Sequence, residues 1–355
     1  MSQPTVTRHS LQFRLSRPLG LLAAVLLTTA AAAAQSQPLL PEFTQAMAAT
    51  PIFTWPHQAI VLTPLNGTGW VAGSEPGGQI ALFSPLDGSA RLSLFPGGVD
   101  RVLAIGGFRL LISSGSEWTL LDADTGQPHP SGPRLPQGQV LGGGEGLVLL
   151  DRGTALALVA PETGEVLGEI DKTGSEPATP WFGPAEVIVP LGDRLAFFDR
   201  QKRTWRKRPL PAQVTSGILV TDDCVYVGLA PRTLACIERE SGIVRWRRPL
   251  VQPLRDTPLA VGEWIAVFPE DHNLYFFKAQ GTLHWWAPLR ALPRFLPVAT
   301  RETVVVSALD GPLHLFDPKR KLALSWIPPA PLAAAAAFVA APPAPPPPAG
   351  GPAAP

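Results

Sequence analysis

Cysteine is close to absent from this chain. Only Cys224 and Cys236 occur in 355 residues, and the histidines beyond residue 34 are scattered at 57, 129, 272, 284 and 314. No Cys/His set therefore has the close spacing of a metal centre. A G-x-S-x-G stretch is missing, which removes the nucleophile elbow of the hydrolases. The Gly-rich run GGGEG at 142–146 lacks the following Lys-Ser/Thr and helix of a phosphate loop, so it reads as a turn between strands. No apolar run reaches the ~20 residues of a membrane-spanning helix. Sustained helical periodicity is also missing after residue 34, which argues against an α-rich domain.

The two ends differ from the rest. Residues 1–17 hold Arg8, Arg14 and Arg17 and no acid; LGLLAAVLLTT and then AAAAAQ follow. A basic start, a short apolar run and small residues are the grammar of an export signal, with cleavage expected after Ala34. The alternative is an uncleaved anchor. No Cys follows the cleavage site to carry a lipid, and Arg14 and Arg17 are not adjacent as a twin-arginine signal requires. Export to the periplasm or cell envelope is the expectation. At the other end no charge follows Lys321, and residues 329–355 are Pro/Ala low complexity, expected to be disordered. The span 330–341 is too short to cross a bilayer.

Removing residues 1–34 takes three arginines and no acid from 29 basic and 28 acidic residues, leaving a net charge of −2. Such a near-neutral chain has no global signature for polyanions, and nucleic acid is not an expected partner.

What is present is repetition. ALFSPLDG (81–88), LLDADTG (120–126), LVAPETG (158–164), FFDRQKR (197–203), CIERESG (236–242), FFKAQG (276–281) and LFDPKRK (315–321) end at steps of 38, 38, 39, 39, 39 and 40 residues. In each, an apolar pair leads into a polar residue and a turn, and another strand follows. Gly88, Gly126, Gly164, Gly242 and Gly281 close five of the seven turns, where a positive φ is expected. The fifth copy reads SGILVTD, DCVYVGL, RTLACIE, GIVRWRR, which is four short strands.

Tandem four-stranded units of about 40 residues predict a β-propeller. Runs such as CVYV are apolar on both faces, so each sheet needs a neighbour on either side. The fold class expected is all-β, a propeller of seven four-stranded antiparallel blades over residues 59–328, with eight blades as the alternative. Residues 35–58 form an N-terminal segment in which TPIFTWP (50–56) resembles a last strand that closes the ring. Kelch blades are longer, and the WD dipeptide is missing.

ADTGQ (123–127), PETGEVL (161–167) and ESGIVRW (240–246) resemble the A-x-D-x-x-T-G-x-x-x-W pattern of the quinoprotein-type (PQQ-like) propeller repeats. The resemblance implies that a Trp on each outer strand docks against the neighbouring blade. Trp246 and Trp285 fit that spacing, Trp326 is one residue late, Trp205 is displaced, and the first three copies lack it, leaving Leu92 or Leu167 in its place. Large members of that family are dehydrogenases holding pyrroloquinoline quinone and calcium beside a vicinal Cys pair. Smaller ones are non-catalytic propellers that include an assembly factor for outer-membrane barrels. In size this chain resembles the second kind, so no cofactor is expected. A quinone-dependent oxidoreductase or quinone binder, and saccharide or small-molecule binding in the central channel, are the alternatives.

Four groups of residues are candidates for a site. Cys224 and Cys236 flank a turn at 230–232, and pairing about residue 230 sets them directly opposite, within reach of a disulfide; two buried thiols are the alternative. Asp122, Glu162, Asp199, Glu238 and Asp317 recur at one place in successive units and read as turn formers. Glu270, Asp271 and His272 cluster in a hairpin turn, where adjacent side chains alternate in direction and make a poor metal set. RQKRTWRKR (200–208) and VRWRR (244–248) place Arg203, Arg206, Lys207, Arg208, Arg245, Arg247 and Arg248 on neighbouring outer strands. Such charge guards an exposed sheet edge, or it docks an envelope or secreted protein or an anionic envelope polymer.

Overall fold

The structure, a computed structural model, describes residues 99–326 apart from 107, 124, 173–175, 290–292, 294–296, 300–301 and 308–312, together with strand backbone at 22–25, 61–65, 70–74, 79–83, 90–94 and 337–340. Every regular element among them is a β-strand.

After β1 (Leu22–Val25) the strands form seven four-stranded antiparallel meanders, here numbered as blades in chain order. Blade one is β2 (Val61–Leu65), β3 (Trp70–Ser74), β4 (Gln79–Phe83) and β5 (Ala90–Leu94). Blade two is β6 (Arg101–Gly106), β7 (Arg109–Ser114), β8 (Glu117–Asp122) and β9 (Gln127–Pro128). Blade three is β10 (Gln139–Gly144), β11 (Leu147–Asp151), β12 (Ala155–Ala160) and β13 (Glu165–Asp171). Blade four is β14 (Trp181–Phe182), β15 (Glu186–Leu191), β16 (Arg194–Asp199) and β17 (Thr204–Pro209). Blade five is β18 (Val214–Val220), β19 (Cys224–Leu229), β20 (Thr233–Glu238) and β21 (Val244–Pro249). Blade six is β22 (Leu259–Val261), β23 (Trp264–Val267), β24 (Asn273–Lys278) and β25 (Leu283–Pro288). Blade seven is β26 (Val298–Ala299), β27 (Val304–Ser307), β28 (Leu313–Asp317) and β29 (Leu322–Trp326).

First strands meet first strands: β2 lies beside β6, β6 beside β10, β10 beside β14, β14 beside β18, and β22 beside β26. The fourth strand of each sheet is therefore the outer one. A shorter sheet pairs β1 with β30 (Ala337–Ala340), and β30 lies beside both β2 and β26. The ring thus contains seven four-stranded sheets and a two-stranded one at the place where they meet. The C-terminal segment expected to be disordered contributes this four-residue strand; residues 50–56, read as a closing strand, lie outside the described residues.

Burial explains the stacking. On β11, Val148 and Leu150 pack with Ile105, Leu111 and Leu120 of blade two, while Leu147 and Leu149 pack with Val187, Val189 and Phe198 of blade four. Both faces of one strand are thus buried, each against a different neighbour. The same alternation builds the interfaces between blades four and five, five and six, and six and seven. Fully burying each such side chain contributes about 1.5–3 kcal/mol, so an isolated blade loses one of these terms on both faces.

The turn position read from the repeat is left-handed in every described copy. Gly126, Gly164, Gly242 and Gly281 have φ of 72, 77, 74 and 84°, and Arg203 and Lys321 stand at the same place with φ of 55 and 54°. Gly88 lies outside the described residues.

Candidate functional site

The basic rim lies on β17 and β21, outer strands of adjacent blades, with Arg203 in the turn that precedes β17. Carboxylates from neighbouring segments meet some of it. Arg203 pairs with Glu165 at the start of β13, in the blade before. Arg206 lies 3.9 Å from Glu186, which also holds Arg239 at 2.7 Å, and its guanidinium sits 5.9 Å over the Phe197 ring. Arg245 pairs with Glu238 at 2.7 Å within its own turn. The rest meet no carboxylate among the described residues. Lys207 Nζ donates to the Asp171 carbonyl at 3.3 Å, Arg248 Nε donates to the Gly281 carbonyl at 2.6 Å, and Arg208 packs its stem against Gly242. Arg247 is exposed and meets no carboxylate among the described residues. The rim therefore keeps an excess of positive charge after its internal pairs are counted, concentrated on Lys207, Arg208, Arg247 and Arg248.

The tryptophans divide between two faces. Trp246 pairs with Cys236 and Trp285 with Phe276, and each packs forward onto the next blade. A register shift between Cys236 and Ile237, and another between Phe276 and Phe277, carries them there. The strand pair β16–β17 has no such shift, so Trp205 pairs with Phe198 and packs backward against Gly168 of blade three. Arg206, opposite Phe197, takes the forward place. Trp246 Nε1 reaches the Ala279 carbonyl at 2.9 Å, whereas the buried Trp205 Nε1 finds no acceptor. β29 carries Trp326 opposite Leu313.

Cys224 and Cys236 are bonded to each other, with Cα atoms 5.6 Å apart, in the core between blades five and six. The expected register needs correction. The loop 230–232 is centred on Pro231, so Cys224 faces Glu238 and Cys236 faces Tyr226. The two cysteines are diagonal neighbours on one face of the hairpin rather than a directly opposed pair.

The recurring acids serve their turns. Asp122 accepts the Thr125 N–H at 3.1 Å, and Asp317 accepts that of Arg320 at 3.0 Å. Asp199 accepts the N–H groups of Lys202 and Gln201 at 2.9 and 3.0 Å, and the Lys202 N–H is the main cause holding its carboxyl below the ordinary range. Glu238 accepts from Ser241 and Arg245, and Glu162 pairs with Arg109. Glu270, Asp271 and His272 point to separate partners: Glu270 to Arg255 at 2.9 Å, and Asp271 to the Tyr275 hydroxyl at 2.5 Å. Burial, reinforced by that hydrogen bond to Asp271, pushes the Tyr275 phenol up to about 12. Among the described residues no group of three His, Cys, Asp or Glu side chains could hold a metal ion.

A small cavity of about 60 Å³ lies beside Asp256, Leu259, Phe268 and Pro297, and burial raises the Asp256 carboxyl above its ordinary value. Cofactor pockets run to ~300–1,000 Å³, so this one is far too small for a quinone. The cysteines do not form a vicinal pair beside any pocket, because they are bonded across a hairpin.

Residues 192–327, from the β15–β16 turn through blade seven, match the family described as outer membrane protein assembly factor BamB. Among solved structures, the computationally designed Ika8 protein matches at a TM-score of 0.58 and 14% identity, covering 76% of this chain and 86% of that one. BamB from Moraxella catarrhalis matches at a TM-score of 0.48 and 15% identity, covering 75% and 84%. No curated protein matches the chain. At such identities likeness in structure is likeness of fold. The protein is an all-β propeller of four-stranded antiparallel blades. Its repeats between residues 192 and 327 are similar to those of that family.

Proposed function

We propose that this protein is an exported, non-catalytic propeller that works as a docking platform for a protein of the cell envelope. The observation that carries the reading is where the family match falls. Residues 192–327 include both β17 and β21, so the part similar to an outer-membrane assembly factor is also the part with surplus positive charge on its rim. The recurring acids support it as well, since they are held in turns and ion pairs. The N-terminal signal-like segment supports export, and cleavage after Ala34 removes β1 from the mature ring.

The test places a photo-crosslinking residue at Ile243, exposed at 66% just before β21, in protein expressed with its own N-terminus. Crosslinking should capture an envelope protein whose yield falls as salt rises. It should be lost when Arg206, Lys207, Arg245 and Arg247 are reversed to Glu. Arg206 and Arg245 also make internal ion pairs, so the double reversal Lys207→Glu/Arg247→Glu serves as the variant that leaves those ion pairs intact. A crosslink indifferent to salt and to both sets of reversals overturns the reading.

A further inference from the structure

The outer strands are not equally guarded. β13, β17 and β21 each carry three charged side chains, the usual protection of an exposed sheet edge. β25, the outer strand of blade six, is LHWWAP and carries none. One side of its backbone pairs with β24 and the other faces outward. Two large apolar side chains are exposed on it, Leu283 at 46% and Trp286 at 50%. Opposed residues share a face, and the register shift in this pair sets Leu283 opposite Phe277 and Trp286 opposite Tyr275, so both lie on the side turned toward blade five. Trp286 is held ready: its ring stacks on Tyr275 at 6.4 Å, and the Tyr275 hydroxyl is tied to Asp271.

The surroundings of this edge are cationic. On the side of blade five, Arg248 is hooked onto the Gly281 carbonyl in the turn that starts β25. On the side of blade seven, His284 Nε2 lies 3.1 Å from the Pro318 carbonyl, which brings the turn carrying Lys319 and Lys321 up to the strand. Both lysines are exposed and meet no carboxylate among the described residues, while Arg320 is matched by Asp317 at 3.6 Å. An uncharged, outward-facing backbone with an anchored indole and cations on both flanks fits one kind of occupant.

We propose that β25 accepts an added strand from an acidic, extended segment of a partner protein. Main-chain hydrogen bonds supply the pairing, alternate apolar side chains settle on Leu283 and Trp286, and the carboxylates, on the other face, meet Lys319 and Lys321. A second copy of this chain is the poorer occupant, because it brings the same cations and like charges meet across the two-fold. The inference rests on the docking-platform reading and names a second face for it.

The probe is a peptide of about ten residues in which valine alternates with glutamate, compared with a twin carrying lysine in place of glutamate. The glutamate peptide should bind, weaken as salt rises, and slow amide exchange at residues 283–288. The lysine twin should bind at least about tenfold more weakly. Trp286→Lys, which restores a guarding charge at an exposed position, should cut binding by about tenfold with an unchanged Tm; Leu283→Lys is the second variant. Four results overturn the proposal: no binding of the glutamate peptide, binding without protection of 283–288, binding indifferent to both variants, or protection of 283–288 that grows with protein concentration alone. The charge reversals on β17 and β21 report on the platform reading and leave exchange at β25 unmoved, so either reading can fall without the other.

Discussion

Trp246 of blade five lies against Gly281 of blade six, so close that a Cβ on the glycine would stand 2.7 Å from Cδ2 of the indole. The Nε1 of the same Trp246 donates to the Ala279 carbonyl at 2.9 Å in that turn. One blade's outer strand thus closes over the next blade's turn. The glycine is needed twice, for its φ of 84° and for its missing side chain.

Gly281→Ala should therefore destabilise the protein by about 2–3 kcal/mol: roughly 1–2 for the left-handed backbone and the remainder for displacing the indole. Gly146→Ala separates the two causes, because Gly146 also has a positive φ, 78°, but has nothing within 4 Å of an added Cβ. It should lose only the backbone share, about 1–2 kcal/mol. Urea denaturation of both variants is the measurement, and equal losses would show that the Trp246 contact contributes nothing.

Lys321 holds the same left-handed turn position at a φ of 54° with a side chain that makes no ion pair among the described residues. Lys321→Gly relieves a backbone cost of about 1–2 kcal/mol and adds about 0.5–1 of chain entropy, for a net gain near 0.5 kcal/mol. A rise in Tm is expected for Lys321→Gly and a fall for Lys321→Val. A fall with glycine would mean that the turn is not strained.

These turns are where the sequence could be read. A period of 38–40 residues and the glycines closing five turns depend on local geometry, and local geometry leaves its mark on neighbouring residues. The four-stranded sheets followed from strands apolar on both faces. What stayed hidden depends on single-residue register or on distant partners. The hairpin through Pro231 is centred one residue later than the symmetric reading, which moves Cys236 from Cys224 to Tyr226. The sequence shows Trp205 displaced relative to Trp246, but not that a register shift in one strand pair and its absence in the other send them to opposite faces. The rim read as seven like cations, but Glu165 and Glu186, from a neighbouring blade and an earlier strand, balance part of it. Nor does an Ala-rich tail announce that Ala337–Ala340 pairs with Leu22–Val25.

The bond between Cys224 and Cys236 closes a short loop, with a sequence separation of 12, and both cysteines are buried at 1% and 0% exposure. Closing a loop of this size restrains the unfolded chain by about 3 kcal/mol. Cys224→Ala/Cys236→Ala should lower stability by about that amount. In native buffer a small reductant should act slowly, because the bond becomes accessible only when blades five and six part. Mass spectrometry with thiol labelling, before and after denaturation in the absence of reductant, should find no free thiol. Two labelled cysteines after denaturation would contradict the bond.

The interior of blade three supplies a pH dependence whose sign can be worked out. Lys172 Nζ lies 2.7 Å from Asp151 Oδ2 and 3.1 Å from Glu176 Oε1, with little exposure of the lysine or of Asp151. The hydrogen bond from Lys172 is the main cause holding the Asp151 carboxyl below its ordinary value, and the bond to Asp151 is the main cause raising the lysine. In the unfolded chain the two titrate near 3.9 and 10.4. A depressed carboxyl contributes stability in full above about pH 4 and loses it as pH falls through the lowered value; a raised ammonium contributes in full below about pH 10 and loses it as pH rises through the raised value. The pair therefore stabilises blade three between those limits. Lys172→Met leaves Asp151 with little water and without its ammonium, so its carboxyl should titrate higher and acid unfolding should begin at a higher pH than in the parent protein. Circular dichroism followed during acid titration decides the point, since coincident acid midpoints for parent and variant would remove the pair from the account of stability.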